Sequence, residues 1–132
     1  MANQFLNPEP FTLANRPYAM AVKAGKLIFL AGQLGIEFVD GERRVVAPGD
    51  AERQIEQIFT NMSAVLADAG GSLHDICWIQ LFVTNMDDRL RMDAVRRRIF
   101  GDRLPAATMV EVSKLALPGA VVEANAIAVR ED

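Results

Sequence analysis

An almost continuous apolar run, DICWIQLFVT at residues 75–84, is the feature that most restricts the fold of this chain. Its length and its β-branched and aromatic residues are typical of a β-strand, and the scarcity of polar side chains predicts a strand buried on both faces. We therefore expect this strand to be central in its sheet. The segments on either side of it have a different periodicity, which predicts a helix before it and a helix after it.

The segment before the strand carries apolar side chains at helical spacing. Asp50 is placed to cap the first turn, and Gly70-Gly71 supplies a left-handed stop. The apolar positions form one helical face: Ile55, Ile58, Phe59, Met62, Val65, Leu66 and Ala69.

The segment after the strand, residues 86–101, predicts a second helix. Met92, Val95 and Ile99 share one stripe, and Gly101 marks the end. The basic last turn, Arg96 to Arg98, complements the helix dipole and indicates a solvated helix face. An anion site at these arginines is the alternative interpretation, and we assign no site to them.

Turn residues predict three hairpins in the rest of the chain. Ala24-Gly25-Lys26 separates two short apolar runs, and Asp40-Gly41 suits a two-residue turn. In the last third, strands at Thr108 to Leu115 and Ala120 to Val129 are expected to pair about Leu117-Pro118-Gly119. The order of elements predicts one α+β domain over residues 1–132, a sheet with both helices on one face. Because two helices cannot cover its second face, we expect a closed symmetric oligomer.

Composition excludes several classes of function. With 14 basic and 17 acidic residues and a net charge of -3, the chain lacks the positive field that nucleic-acid binding uses. No window approaches the roughly 18 apolar residues of a membrane span, and the N-terminal segment does not resemble an export signal, so we expect a cytoplasmic protein. The single cysteine, Cys77, is expected in the core. The lone histidine, His74, has no companions for a metal site or a catalytic triad, and no metal or cofactor is expected.

Five segments, spread over about residues 17–129, carry a family resemblance: RPYAMAV, LIFLAGQLG, QIEQIFTNMSAVLADAGGSLHDI, LFVTNMDDRLRMDAV and VSKLALPGAVVEANAIAV. In order and spacing they resemble the Rid/YjgF reactive-intermediate deaminase family, some members of which are labelled endoribonuclease L-PSP. The resemblance implies a chorismate-mutase-like α+β fold and a homotrimer whose sheets enclose a central barrel. It also implies small-metabolite clefts at the subunit interfaces, where enamines and imines derived from amino acids are hydrolysed without a metal or organic cofactor.

The resemblance assigns roles to three residues of this chain. The glutamate that handles the attacking water matches Glu123, the cleft tyrosine matches Tyr18, and the glycine of the family's Ser-Gly-Gln segment matches Gly32. Each residue also has a purely structural interpretation. Glu123 would then be the solvent-facing residue of an edge strand, Tyr18 a half-buried strand aromatic, and Gly32 a bulge or a close-packing position.

The chain departs from the family pattern where the substrate is held. Ala107 occupies the position of the arginine that binds the substrate carboxylate, Met109 that of a frequent cysteine, and Asn125 that of the second glutamate of the closing motif. An alanine offers no donor to a carboxylate, so the usual anchor is lost. Arg103 is a candidate substitute for that anchor, although a solvated cap beyond the second helix is its more common role.

Three functions therefore follow as hypotheses. The first is deaminase-like hydrolysis of an enamine or imine, with Glu123 activating water and with specificity altered by Ala107. The second is a trimer that binds a small ligand without turnover. The third is ribonuclease or translation-inhibitor activity, which the acidic balance and the lack of a paired acid and base disfavour.

Overall fold

The computed structural model describes residues 2–11 and 16–131. Within them lie the strands β1 (Gln4–Leu6), β2 (Ala21–Ala24), β3 (Leu27–Leu34), β4 (Ile36–Val39), β5 (Glu42–Val45), β6 (Ile76–Val83), β7 (Ala106–Glu111) and β8 (Val122–Val129). The helices are α1 (Ala51–Asp68) and α2 (Arg89–Phe100), with short 3-10 turns at Leu73–Asp75 and Met86–Asp88. Six strands form one mixed sheet in the order β1-β2-β3-β8-β6-β7, and β4 and β5 form a separate two-stranded sheet. This architecture confirms the predicted α+β class.

The first two predicted hairpins are confirmed. Strands β2 and β3 pair antiparallel about the turn at Gly25, and β4 pairs antiparallel with β5. At the second turn Asp40 and Gly41 have φ values of 52° and 80°, the left-handed pair that a two-residue turn between right-twisted strands requires. Strand β1, which was not predicted, extends the sheet by pairing antiparallel with β2.

The predicted final hairpin is wrong. Strand β7 pairs parallel with β6 at the edge of the sheet, whereas β8 inserts antiparallel between β3 and β6. The predicted turn does form locally, since the Ala120 amide donates to the Leu117 carbonyl at 3.1 Å. It does not join paired strands, because a turn signal reports local backbone geometry and not which strand lies beside which.

Both helices pack on one face of the large sheet around a single apolar core. Asp50 caps α1 by accepting a hydrogen bond from the Arg53 amide at 3.1 Å, as predicted. The predicted apolar face of α1 is buried except at Ala69, which is half-buried. The rings of Phe59 and Phe100 meet edge to face with centroids 5.2 Å apart, which locks α1 against α2.

The opposite face of the sheet, which we call the outer face, is covered by no element of the described chain. One row of paired residues crosses all six strands on this face, and every member is apolar: Phe5, Val22, Phe29, Ile127, Trp78 and Ala106. Phe29 is 43% exposed in the single chain. Strand β6 is interior as predicted but is fully buried on its helix side only, because Trp78 and Phe82 on the outer face are half-buried.

The prediction that Cys77 lies in the core is wrong. The pairing of β6 with β8 shifts register between Ile76 and Trp78, and this irregularity leaves Cys77 exposed. Its thiol donates to the Ile127 carbonyl at 3.5 Å. An apolar run does not reveal a bulge, which is why the sequence pattern misplaced this side chain.

Candidate functional site

The candidate site is built around Glu123 on β8 and Gly32 on β3. Val122 and Ala124 point into the core, so Glu123 between them projects from the outer face, where it is half-buried. A Cβ atom on Gly32 would lie 2.4 Å from Oε2 of Glu123. The carboxylate therefore occupies the space that any side chain at position 32 would take.

Burial raises the pKa of the Glu123 carboxyl above its ordinary value. No basic group contributes to this shift, since desolvation is its cause. A carboxyl group whose pKa is moved toward neutrality exchanges a proton with water more readily near physiological pH. The environment of Glu123 is thus suited to general acid and base chemistry.

A β-bulge shapes the strand opposite Glu123. Leu30 pairs with Ala126 and Gln33 with Ala124, so that Ala31 and Gly32 together face only Asn125. Asn125 projects from the same face as Glu123, and its Oδ1 atom is buried without a hydrogen-bond partner in the described residues. Bulges recur beside active sites because they re-aim side chains and free backbone groups. Asn125, two residues from Glu123 on the same face of β8, is thus an unpaired acceptor that lies opposite the bulge.

Gly32 also lines a cavity of about 40 Å³ between β3, the β4-β5 hairpin and the N-terminal segment. Its polar lining is basic and neutral: Arg16, Tyr18, Gln33 and Arg43. The Phe11 and Phe38 rings, which meet edge to face at 5.4 Å, form part of its apolar wall. Gly32 therefore contributes to the cavity lining and also lies against the Glu123 carboxylate.

Sequence reasoning did not identify Arg16, Gln33 or Arg43. Their signal was weak, since an arginine before Pro17-Tyr18, a strand glutamine and a hairpin arginine are each ordinary on their own. Only the folded chain places the three around one cavity.

The predicted residues Ala107 and Met109 are not brought to Glu123 within one chain. They pair with Ile79 and Leu81, which face the core, and Met109 itself packs against the core. Glu123 projects from the other face, and β6 separates its strand from β7. At about 4.8 Å between adjacent strands, the two strands lie ~10 Å apart.

The remaining predicted residues are placed as follows. Tyr18 is 51% exposed and lines the cavity. Arg103 is exposed after α2, where its amide donates to the Phe100 carbonyl at 3.0 Å, and it does not line the cavity. His74 is exposed. Across residues 2–11 and 16–131, no three His, Cys, Asp or Glu side chains are grouped to hold a metal ion, and no helix is both long and apolar enough to span a membrane.

Comparison with known proteins shows which family this chain belongs to. Residues 10–130 match the family described as Endoribonuclease L-PSP. The chain belongs to this family. A RutC family protein of Pyrococcus abyssi is 34% identical over 131 residues, which cover 99% of this chain and 100% of that protein. A protein of Dermatophagoides farinae named 2-iminobutanoate/2-iminopropanoate deaminase is 31% identical over 126 residues, which cover 96% of this chain and 92% of that protein.

The fold of this L-PSP family chain also matches solved structures. The crystal structure of RidA from an Antarctic Psychrobacter superposes with a TM-score of 0.81 at 30% sequence identity, covering 96% of this chain and 98% of that one. The α+β fold, with two helices on a mixed sheet, is therefore the fold of the family.

Proposed function

We propose that this L-PSP family chain hydrolyses a small enamine or imine, with Glu123 activating water. The observation that carries the proposal is the half-buried carboxyl of Glu123, whose pKa is raised by burial and which lies against the backbone of Gly32. The relative named 2-iminobutanoate/2-iminopropanoate deaminase supports the reaction class.

The chemistry needs one group that both accepts and returns a proton. Ionised Glu123 takes a proton from water as the water oxygen adds to the carbon of the C=N bond. The same carboxyl returns this proton to the nitrogen, which gives a carbinolamine. It then transfers the proton of the new hydroxyl group to the nitrogen as the C–N bond breaks, so that ammonia leaves and a carbonyl remains. A carboxyl group with a raised pKa performs both steps near neutral pH. We propose that Asn125, whose buried Oδ1 has no hydrogen-bond partner in the described residues, accepts a hydrogen bond from the nitrogen.

We propose that the working form is a homotrimer with its clefts between subunits, acting in the cytoplasm. The apolar row on the outer face supports an assembly, because an exposed apolar surface of this extent is stabilised when a second copy covers it. The placement of Ala107 and Met109 supports clefts between subunits, since one chain alone keeps them apart from Glu123. In an assembled cleft, position 107 of one copy would face Glu123 of the next.

The proposed specificity differs from that of relatives that use an arginine at the position of Ala107. Ala107 is exposed on an edge strand, so Ala107→Arg should be accommodated without repacking the core. We expect this variant to raise kcat/KM for imines that carry a carboxylate. An unchanged kcat/KM would mean that position 107 does not reach the substrate.

The test is ammonia and keto-acid release from imines generated in situ by an amino-acid oxidase. We expect native protein to accelerate release, Glu123→Gln to abolish the acceleration, and Glu52→Gln, an exposed helix glutamate, to leave it unchanged. Full turnover by Glu123→Gln would refute the proposed role of this residue. Ligand-induced stabilisation without any product would instead favour a non-catalytic binding protein.

The family description also names a ribonuclease activity. Incubation of the same preparations with labelled RNA tests it directly. Cleavage that survives in Glu123→Gln, together with absent imine turnover, would replace the deaminase proposal.

A further inference from the structure

A buried glutamine of helix α1, Gln54, forms three hydrogen bonds to the backbone of two other segments. Its Nε2 donates to the Ala47 carbonyl at 3.1 Å and to the Gly119 carbonyl at 2.9 Å. Its Oε1 accepts from the Val121 amide at 2.9 Å. Gln54 is 0% exposed, so these bonds replace the contacts that its amide would make with water, and they fix the side chain in one orientation.

The bonds to Gly119 and Val121 hold the start of the strand that carries Glu123. Val121 immediately precedes β8, and Glu123 is the second residue of that strand. The Val121 carbonyl in turn accepts from the Thr84 amide at 3.1 Å, directly after β6. Val121 is therefore held on both sides, by Gln54 from the helix layer and by Thr84 from the sheet.

The backbone of Gln54 also contacts the strand that pairs with Glu123. Gly35 lies between β3 and β4, and a Cβ atom on it would be 2.7 Å from the Gln54 carbonyl oxygen. Leu34, the neighbour of Gly35, is the residue of β3 that pairs with Glu123. One helix residue thus touches the backbone close to both members of the Leu34–Glu123 pair.

These contacts matter because the pairing of β3 with β8 is short at this end. Two pairs lie beyond the bulge, Gln33 with Ala124 and Leu34 with Glu123. The Glu123 carboxylate nevertheless fits closely against Gly32, with Oε2 at 2.4 Å from the position of a Cβ atom. A misplacement of about 1 Å is enough to lower a catalytic rate by roughly a hundredfold. Contacts from outside the strand ladder are therefore important for this fit.

We propose that Gln54 is a positioning residue for Glu123: it holds the backbone at the start of β8 and the end of β3 so that the carboxylate stays against Gly32. Gln54 lies in the helix layer, whereas Glu123 projects from the outer face, so Gln54 acts through the backbone and does not contact the substrate. The catalytic consequence rests on the proposed function, but the environment of the carboxyl group is measurable without turnover.

The experiment uses Gln54→Met, which preserves the length of the side chain and removes its amide. NMR of protein with 13C-labelled glutamate measures the pKa of Glu123, whose signal is identified by its loss in Glu123→Gln. We expect Gln54→Met to lower this pKa toward the ordinary glutamate value, because a loosened start of β8 exposes the carboxyl to water. The residues paired with Glu123, Leu34 and Phe82, carry no charge that would mask the change. In the imine assay, kcat should fall by roughly ten- to a hundredfold with little change in KM.

Asn61→Leu is the matched control. Asn61 is a second buried amide of α1, 6% exposed, and its Nδ2 donates at 2.9 Å to the Ile36 carbonyl, which belongs to the separate two-stranded sheet. This variant should lower Tm, as Gln54→Met does, while the pKa of Glu123 and kcat stay near their native values. Gln54→Asn, which keeps the amide on a shorter side chain, is the second variant if Gln54→Met does not fold, and it should lower the pKa by less.

The outcomes separate the positioning role from the proposed function. An unchanged pKa of Glu123 in Gln54→Met, or an equal decrease in Asn61→Leu, would overturn the positioning role, since the second result indicates general loosening of the core. Where native protein is active, a native kcat in Gln54→Met would overturn it as well. If native protein turns over no imine, yet Gln54→Met lowers the pKa of Glu123 and Asn61→Leu does not, the proposed function fails and the positioning role stands.

Discussion

Glu123 and Gly32 are matched across two paired strands: Oε2 of the glutamate lies 2.4 Å from the point where a Cβ atom on the glycine would be. Any side chain at position 32 would meet the end of the Glu123 side chain on the neighbouring strand. Glycine at this position therefore leaves space for the carboxylate. The same contact buries the carboxyl group, whose pKa is raised by desolvation. The absence of a side chain at position 32 thus contributes directly to the proton chemistry of position 123.

Gly32→Ala should reduce activity with little loss of stability. The new methyl group would displace the Glu123 carboxylate, and a flexible side chain can move where backbone cannot. Gly35→Ala provides the contrast, since its Cβ would lie 2.7 Å from the Gln54 carbonyl oxygen and 2.8 Å from the Gln54 Cα, both backbone atoms. We expect Gly35→Ala to lower Tm clearly, and Gly32→Ala to lower kcat/KM at nearly native Tm. A large Tm loss in Gly32→Ala with native kcat/KM would contradict this division.

The pH dependence of kcat/KM should report the raised pKa of Glu123. The group acts on water in its ionised form, so activity should rise with pH to a plateau, with a midpoint above the ordinary pKa of a glutamate. A steady-state profile on a substrate that does not titrate in this range measures it. A midpoint at or below the ordinary glutamate value would contradict the assignment.

The same shift affects stability in a defined direction. Because the folded-state pKa is raised, the native state retains its proton to higher pH than the unfolded state, and stability is lost as pH rises through that interval. Glu123→Gln does not titrate at this position. Its Tm relative to native protein should therefore increase from acidic to neutral pH and then level off. A difference in Tm that is independent of pH, or that shrinks as pH rises, would refute the prediction.

Phe29→Glu should dissociate the proposed assembly. Phe29 is 43% exposed in the middle of the apolar row on the outer face, and a buried unpaired charge there would be costly. Leu90→Glu is the matched control, since Leu90 is 71% exposed on α2, away from the sheet. Light scattering after size-exclusion chromatography should give a smaller mass for Phe29→Glu only. Equal masses for native protein and Phe29→Glu would exclude this face as the interface.

Local patterns predicted most of the secondary structure because those signals are carried by adjacent residues. The spacing of apolar side chains predicted α1, with Asp50 as its cap, and Asp40-Gly41 predicted the β4-β5 turn. The prediction of a final hairpin was wrong because strand pairing is not a local signal. Nothing within residues 106–129 indicates that β7 pairs with β6 in parallel while β8 pairs on its other side, since strand pairing is a long-range choice.

Local sequence patterns were enough to predict the α+β class, the two helices and the first two hairpins, and a family resemblance singled out Glu123, Tyr18 and Gly32. The folding of the chain was needed to show that Glu123 fits against Gly32 and that Ala107 faces away from Glu123. It also decided that Arg16, Gln33 and Arg43, which are separated in the sequence, line one cavity. The physical reason is that helical period and turn conformation depend on neighbouring residues. Contact, burial and the resulting pKa shift depend instead on which distant segments the sheet brings together.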